Sequence, residues 1–176
     1  MTQTKSYRYT VVDVFTTEPL SGNSLAVFPE ASEFDAAAMQ KIARELNLTE
    51  TAFVLPATRS DCAARVRIFT PTKELPYAGH PTVDTASVLL QKGIVSSSCH
   101  EFLLEEEFGP IPLRSEAGRP PLIWLRTPAI HEGRRLDGSL CARALGLDPR
   151  DLCGGTADAE RRKSDGSGRR KGQSGG

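Results

Sequence analysis

The feature that most constrains the fold is a helix near the middle of the chain that is apolar on more than one side. The sequence predicts this helix over Pro81–Lys92, ended by Gly93, from an apolar stripe formed by Val83, Ala86, Leu89 and Leu90. Val88 adds an apolar side chain off that stripe, and polar positions are few. Such a helix is stable only when other elements cover it, so we expect it to lie deep in the fold.

Most of the chain around this helix has the pattern of β-strands. The predicted strands are Tyr7–Phe15, Leu25–Phe28, Thr51–Leu55, Ala63–Phe69, Phe102–Glu106, Ile111–Arg114 and Leu122–Arg126. Two more helices are predicted, one carrying the apolar stripe of residues 39–46 between Asp35 and Asn47, and a short one over Ser139–Leu145. A doubly wound sheet would need helices alternating with strands throughout. The order therefore predicts an α+β fold with a largely antiparallel, curved sheet wrapped around the central helix.

The charges divide the chain into two unlike parts. Its 22 basic and 22 acidic residues cancel, yet residues 153–176 hold six basic and three acidic residues and none of Val, Ile, Leu, Met, Phe, Tyr or Trp. A segment with so little apolar surface cannot offset the entropy of ordering, so we expect a domain over 1–152 and a disordered tail over 153–176. The tail's Arg-Arg-Lys clusters could touch an anionic surface, but the composition favours a solvated linker or an aberrant terminus.

Composition and spacing argue against several classes of function. Zero net charge disfavours a nucleic-acid binder, and no apolar stretch approaches the length of a membrane span. The four cysteines match neither zinc spacing nor a compact disulfide framework, and His80, His100 and His131 lack Cys or His partners at ligand spacing. We therefore expect a cytoplasmic protein with free thiols, no metal site, and neither nucleic acid nor membrane as a partner.

Glu50 is the first residue that could carry chemistry. It follows the exit of the first predicted helix and immediately precedes the apolar strand TAFVLP. A carboxylate at the point where a turn meets such a strand can be partly desolvated, which suits it to proton transfer. Position alone favours a solvated turn residue with no chemical role.

His80 lies between Gly79 and Pro81, at the predicted start of the central helix. The unpaired N–H groups of a first helical turn favour a carboxylate or phosphate, and a glycine there lets a ligand approach the backbone closely. His80 could bind the substrate or pass a proton, or it could serve only as a helix cap.

Three other acidic positions are weaker candidates. Asp13 interrupts the first strand without a visible partner, and Glu45 belongs to the solvent face of its helix. The run Glu105–Glu107 is predicted to be an exposed strand end rather than a carboxylate cluster.

Four separate blocks of the chain resemble one family. The blocks are DVFTTEPLSGNSLAV (13–27), ARELNLTETAFVLP (43–56), RVRIFTPTKELPYAGHPT (65–82) and the helix that follows, and a looser similarity extends to about Leu152. In their order and spacing these blocks resemble the N-terminal half of the phenazine-biosynthesis PhzF-like isomerases. The resemblance implies one half of a diaminopimelate-epimerase-like fold, in which two similar domains each wrap a sheet around a helix and the active site lies between them.

The resemblance also implies roles for the candidate residues. Glu50 matches the family's catalytic glutamate, which moves a proton on the substrate without metal or organic cofactor, and His80 and Gly79 match a Gly-His-Pro motif that lines the substrate site. The named enzyme of the family acts on a dihydro-hydroxyanthranilate. A small carboxylic acid is therefore the expected substrate.

The chain also departs from the family's pattern. Asp84 and Ser24 stand where the family usually has glycine and proline, and Asp84 is expected to repel an anionic substrate. The family's second catalytic domain is expected to be absent, and the loss of apolar residues after Leu152 is typical of a truncated or frame-shifted end.

Two hypotheses follow from that absence. One is an isomerase in which a homodimer partner supplies the missing wall around a Glu50 that is otherwise exposed. The other is an inactive remnant or binding module that keeps the fold.

Overall fold

The computed structural model describes residues 5–16, 18, 20–118, 121–129, 133, 136–148 and 150. The chain divides into two units, Met1–Ile130 and His131–Gly176. The predicted disordered segment, 153–176, lies outside the described residues. Within them, no helix is long and apolar enough to cross a membrane.

The first unit contains one curved sheet of eight strands. These are β1 (Thr10–Val14), β2 (Asn23–Phe28), β3 (Glu50–Leu55), β4 (Ala64–Phe69), β5 (Glu74–Leu75), β6 (Glu101–Glu106), β7 (Gly109–Glu116) and β8 (Leu122–Leu125). Their order is β1-β2-β3-β4-β6-β7-β8, with β5 paired to β4. The pairs β2–β3 and β4–β6 are parallel and the other pairs are antiparallel, so the prediction of a largely antiparallel sheet is confirmed.

The central helix α2 (Gly79–Gln91) packs against strands near both ends of this sheet, from β1 to β8. Ala86 and Leu89 are fully buried, and Val88 is almost so. They belong to the main apolar cluster with inward-facing side chains of β2, β3, β4, β6 and β7, among them Leu25, Val54, Val66, Leu104 and Leu113. The prediction of a deeply buried helix surrounded by a curved sheet is therefore confirmed.

A second helix covers the other face of the central strands. Helix α1 (Ala36–Leu46) packs against β3 and β4, where Met39 and Ala43 join the outward-facing Phe53 and Phe69 in a separate apolar cluster. Asp35 caps its N-terminus by accepting a hydrogen bond from the Ala38 N–H at 2.7 Å. Strand β3 is thus buried on both faces, which explains its nearly continuous apolar sequence.

The ends of several elements differ from the prediction. Strand β1 ends at Val14 because Phe15 has a left-handed backbone, with φ of 59°. Helix α2 begins two residues before Pro81, and proline is tolerated there because the N–H groups of a first turn need no helical partner. The two-residue strand β5 was not predicted, since its pairing with β4 depends on a tertiary turn.

In the second unit the structure describes one helix, α3 (Gly138–Leu145). The Asp137 side chain accepts a hydrogen bond from the Leu140 N–H at 2.9 Å, and Gly146 ends the helix with φ of 69°. The predicted helix over Ser139–Leu145 is confirmed.

The prediction that Glu105–Glu107 forms an exposed strand end is wrong for two of its three residues. Glu105 is 8% exposed and Glu106 is 4% exposed, and they lie on opposite faces of β6 because side chains alternate along a strand. Glu105 accepts hydrogen bonds from the backbone of Thr58 and Arg59 and from the Thr58 hydroxyl. Glu106 lies on the inner face, beneath α2.

Burial of Asp84 and Glu106 makes the stability depend on pH. Burial raises the pKa of each carboxyl group to about 7, from 3.8 for Asp84 and 4.5 for Glu106. Between the unfolded and folded pKa values the folded chain binds more protons, so the free energy of unfolding falls as the pH rises from about 4 to about 7. Asp84→Asn should reduce this fall, measured by urea unfolding at several pH values.

Glu105→Gln provides the control for that experiment. Hydrogen bonds from Thr58 lower the pKa of Glu105, so this group contributes stability above its unfolded pKa, and that stability is lost as the pH falls through its lower folded pKa. This substitution should destabilise the chain mainly at neutral pH and leave the fall in stability toward pH 7 in place. An equal fall in wild type and Asp84→Asn would contradict the assignment of that fall to Asp84.

Candidate active site

Glu50 and His80 meet at one edge of the helix and sheet. Glu50 is the first residue of β3 and His80 is the second residue of α2. His80 Nε2 lies 3.2 Å from Glu50 Oε2, within ion-pair distance for a protonated imidazole. Residues 30 positions apart in sequence are therefore brought together by the packing of α2 against β3.

Glu50 is partly withdrawn from solvent. Its side chain is 13% exposed and that of His80 is 21% exposed. The expectation of an exposed Glu50 in a half-length chain is therefore wrong, because α2 and β3 already cover most of the carboxylate. Among the described residues, the buried Oε2 atom has no hydrogen-bond partner, although it lies 3.2 Å from His80 Nε2.

Asn23 contacts His80 and is a third residue of the site. It was not among the predicted site residues. Its Oδ1 atom accepts a hydrogen bond from the Thr49 hydroxyl at 2.8 Å, which directs its amide nitrogen toward His80 Nε2 at 3.1 Å. In the neutral tautomer with its proton on Nδ1, Nε2 accepts from this amide. Asn23 and Thr49 adjoin Gly22 and Glu50 in two of the blocks that carried the resemblance, which is the signal that could have identified them.

Gly22 allows the connection after β1 to lie close to this site. A Cβ atom at Gly22 would lie 2.4 Å from the Val14 carbonyl oxygen and 2.7 Å from Thr16 Cγ2. The residue must therefore be glycine for the neighbouring Asn23 to start β2 where it does. The Phe15 ring, 5.7 Å from the His80 ring between centroids, borders the site on this side.

Asp13 holds the same segment in place. The expectation that it lacks a partner is wrong: Oδ1 accepts from the Ser24 hydroxyl at 2.7 Å and Oδ2 from the Leu20 N–H at 2.9 Å. Asp13 and Ser24 are directly opposed in the antiparallel pair β1–β2. Ser24, at a position where proline cannot donate such a bond, therefore ties the first strand to the residue after Asn23.

Gly79 leaves the N-terminus of α2 open. A Cβ atom there would meet nothing nearer than the Tyr77 hydroxyl at 3.9 Å, so neither packing nor backbone conformation requires glycine. Ala78 occupies the N-cap position without a side-chain hydrogen bond among the described residues. The N–H groups of the first turn are thus available to an anion.

Asp84 lies one turn along α2 from His80, on the same side of the helix. It is 7% exposed, and its Oδ2 atom is buried without a hydrogen-bond partner among the described residues. Because burial raises its pKa to about 7, this carboxyl group is largely uncharged below neutral pH. The expected repulsion of an anionic substrate is therefore weakened at acidic pH.

Clefts of about 380, 580 and 740 Å³ lie on the first unit, and Glu50, Gly79 and His80 line none of these three. The described residues also contain no group of three His, Cys, Asp or Glu side chains that could hold a metal ion. The Glu50–His80 pair is therefore separate from these three clefts.

Comparison with known proteins matches the sequence to a family. The family model for phenazine biosynthesis-like proteins, PhzC-PhzF, matches residues 12–143. The chain belongs to the PhzF family. That match contains Asn23, Glu50 and His80.

Several curated relatives are named as isomerases. The chain is 50% identical over 103 residues to an uncharacterized isomerase of Mesorhizobium japonicum, covering 58% of this chain and 34% of the relative. It is 44% identical over 110 residues to the trans-2,3-dihydro-3-hydroxyanthranilate isomerase of Pseudomonas aeruginosa, covering 62% and 38%. The chain thus spans little more than a third of the length of these relatives.

Solved structures confirm the predicted fold. A predicted epimerase of Pseudomonas aeruginosa matches with a TM-score of 0.72 and 37% identity, covering 85% of this chain and 54% of that one. A PhzF-family phenazine biosynthesis protein of Bacillus anthracis matches with a TM-score of 0.72 and 28% identity, covering 85% and 50%. The chain therefore corresponds to about half of each solved PhzF-type structure.

Gly22→Ala tests how the connection after β1 positions Asn23. The added Cβ atom cannot be accommodated 2.4 Å from a carbonyl oxygen, so the backbone must move and the contact between Asn23 and His80 should be lost. We expect large changes in the NMR signals of the Asn23 side-chain amide and the His80 ring.

Gly79→Ala is the matched control, since its Cβ atom has room. It should leave the Asn23 side-chain amide signals in place. Unchanged signals in Gly22→Ala would show that this packing does not position Asn23.

Proposed function

We propose that this chain carries the proton-transfer half of a cofactor-independent PhzF-type isomerase site, with Glu50 as the acid and base. The observation that carries the proposal is the nearly buried Oε2 atom of Glu50, which has no hydrogen-bond partner among the described residues and lies 3.2 Å from His80 Nε2. A desolvated carboxylate oxygen with free lone pairs is what a general base requires.

The substrate class follows from the relatives and from the groups around Glu50. A relative 44% identical to this chain is named trans-2,3-dihydro-3-hydroxyanthranilate isomerase, which supports a small dihydroaromatic carboxylic acid as substrate. The open N–H groups at Gly79 and His80 provide donors for its carboxylate, strengthened by the helix dipole.

The reaction balances without an added oxidant or cofactor. Glu50 removes a proton from an sp³ carbon of the substrate, and the C–H electron pair passes into the conjugated system. Glu50 then returns a proton to another carbon of that system, so the product is an isomer and the carboxylate is regenerated. His80 is held by Asn23. It stabilises the negative charge that develops on the substrate, either by its position or by donating a hydrogen bond.

The position of the Glu50–His80 pair supports a second candidate function. Neither residue lines any of the three clefts described above, whereas the N–H groups at the start of α2 are open to an anion. A binding module that keeps the anion site but performs no proton transfer is the alternative. A homodimer that brings a second wall to the site would instead favour the isomerase.

Glu50→Gln tests the isomerase. In D₂O, wild-type chain should catalyse deuterium incorporation into trans-2,3-dihydro-3-hydroxyanthranilate, and the variant should lose about 100-fold or more of that rate because the amide cannot accept the proton. Incorporation followed by mass spectrometry measures the effect. Glu45→Gln on the exposed face of α1 is the control and should retain the wild-type rate.

The two candidate functions give different results in that experiment. Equal deuterium incorporation in wild type and Glu50→Gln would rule out Glu50 as the base. Saturable binding of the carboxylic acid by calorimetry without any deuterium incorporation in the wild type would favour the binding module.

A further inference from the structure

The mechanism above leaves one buried carboxyl group beneath the site helix without a role. Glu106, at the end of β6, is 4% exposed, and its Oε2 atom is buried without a hydrogen-bond partner among the described residues. Its Oε1 atom contacts the Thr82 hydroxyl. Ala78 and Thr82 lie on either side of Gly79 and His80 in the first turn of α2.

The number of hydrogen bonds that this contact can form depends on whether Glu106 is protonated. The Thr82 hydroxyl lies within hydrogen-bond distance of both the Ala78 carbonyl oxygen and Glu106 Oε1, yet it has a single proton to donate. When Glu106 is protonated, it donates to Thr82 and Thr82 donates to Ala78, so both contacts are hydrogen bonds. When Glu106 is ionised, Thr82 can satisfy only one of the two acceptors.

This contact replaces a missing helix cap. Ala78 supplies no side-chain cap to α2, and its carbonyl oxygen accepts the Thr82 N–H at 3.3 Å as the first backbone bond of the helix. A change in the hydrogen bonds of the Ala78 carbonyl oxygen therefore affects the first turn of α2, which carries His80. Burial of unpaired polar groups at this turn would cost stability.

We propose that Glu106 is a positioning residue, whose protonated carboxyl group holds the first turn of α2 through Thr82 and so keeps His80 opposite Glu50. This positioning matters for catalysis only if His80 acts on the substrate, and that role rests on the proposed function. Ionisation of Glu106 removes one hydrogen bond from the turn and shifts Gly79 and His80 relative to β3.

The surroundings of Glu106 allow it to change protonation near neutral pH. Burial raises its pKa to about 7, opposed by its hydrogen bond with Thr82. Burial and, to a smaller extent, the charge of Glu106 raise the pKa of Tyr77. The other charged or titratable groups on the neighbouring elements are His80 and Asp84 on α2, Glu101, Glu105 and Glu107 along β6 and its turn, Arg114 and Glu116 on β7, Arg65 and Arg67 on β4, and Glu74 on β5. Of these, Glu105 faces away toward Thr58, and Arg67 pairs with Glu74 at 2.6 Å.

The backbone amide signals of Gly79 and His80 in the full chain, without substrate, test the proposal. In Glu106→Gln the amide nitrogen can donate to Thr82 at every pH, so this variant mimics the protonated state. At about pH 5.5 both signals should match those of the wild type. As the pH rises, the signals should move away with a midpoint near 7 in a chain with Glu106, and this step should be missing in Glu106→Gln. Both are measured with Asp84→Asn, so that the other carboxyl group of α2 with a pKa of about 7 does not titrate.

Matched variants separate this role from a general effect of buried charge. Glu105→Gln, on the opposite face of β6, should keep the wild-type step. Thr82→Val removes the hydroxyl and should abolish the step, whereas Thr82→Ser keeps the hydroxyl and should retain it. The Thr82 pair gives the same test if Glu106→Gln fails to fold.

Several results would overturn the proposal. These are a step that persists in Glu106→Gln or Thr82→Val, a step that is lost in Glu105→Gln, and signals of Glu106→Gln that differ from the wild type at about pH 5.5. Because the readout needs no substrate, a wild-type chain that fails to exchange deuterium would count against the proposed isomerase and leave this result standing.

Discussion

Burial of helix α2 against the concave face of the sheet is the constraint on which the rest of the structure depends. Leu89 and Ala86 are fully buried, and each large apolar side chain removed from water contributes about 1.5–3 kcal/mol to stability. The sheet must curve for strands as far apart as β1 and β8 to contact one helix. The same packing fixes the N-terminus of α2 beside the start of β3, and so His80 beside Glu50.

Polar side chains surround the N-terminus of α2 and position the chemical groups of the site. Asn23 and Thr49 orient the imidazole from one side, and Glu106 reaches the turn from β6 on the inner face. Asp84 and Glu106 are costly to bury as charges, so the fold holds them more easily in protonated form. The site helix is therefore supported by groups that change protonation near neutral pH.

Local patterns predicted much of the fold. The apolar stripe of α1 with its caps at Asp35 and Asn47, and the alternation of Arg65, Val66, Arg67 and Ile68 on β4, were predicted as the structure has them. Glu50 and His80 were selected as candidates from their positions beside predicted elements. The run Glu105–Glu107 was misjudged because alternation along a strand does not tell which face another element covers.

The sequence by itself determined the elements, the curved sheet around a central helix, and membership of the PhzF family, because these depend on local periodicity and on motifs contiguous in the chain. Only the tertiary structure decided that Glu50 is covered, that Asn23 holds His80, that Asp13 binds Ser24 and Leu20, and that Glu106 lies under the site helix. These contacts join residues on separate elements. Burial and hydrogen bonding of a polar side chain depend on what the fold brings against it, which no local pattern records.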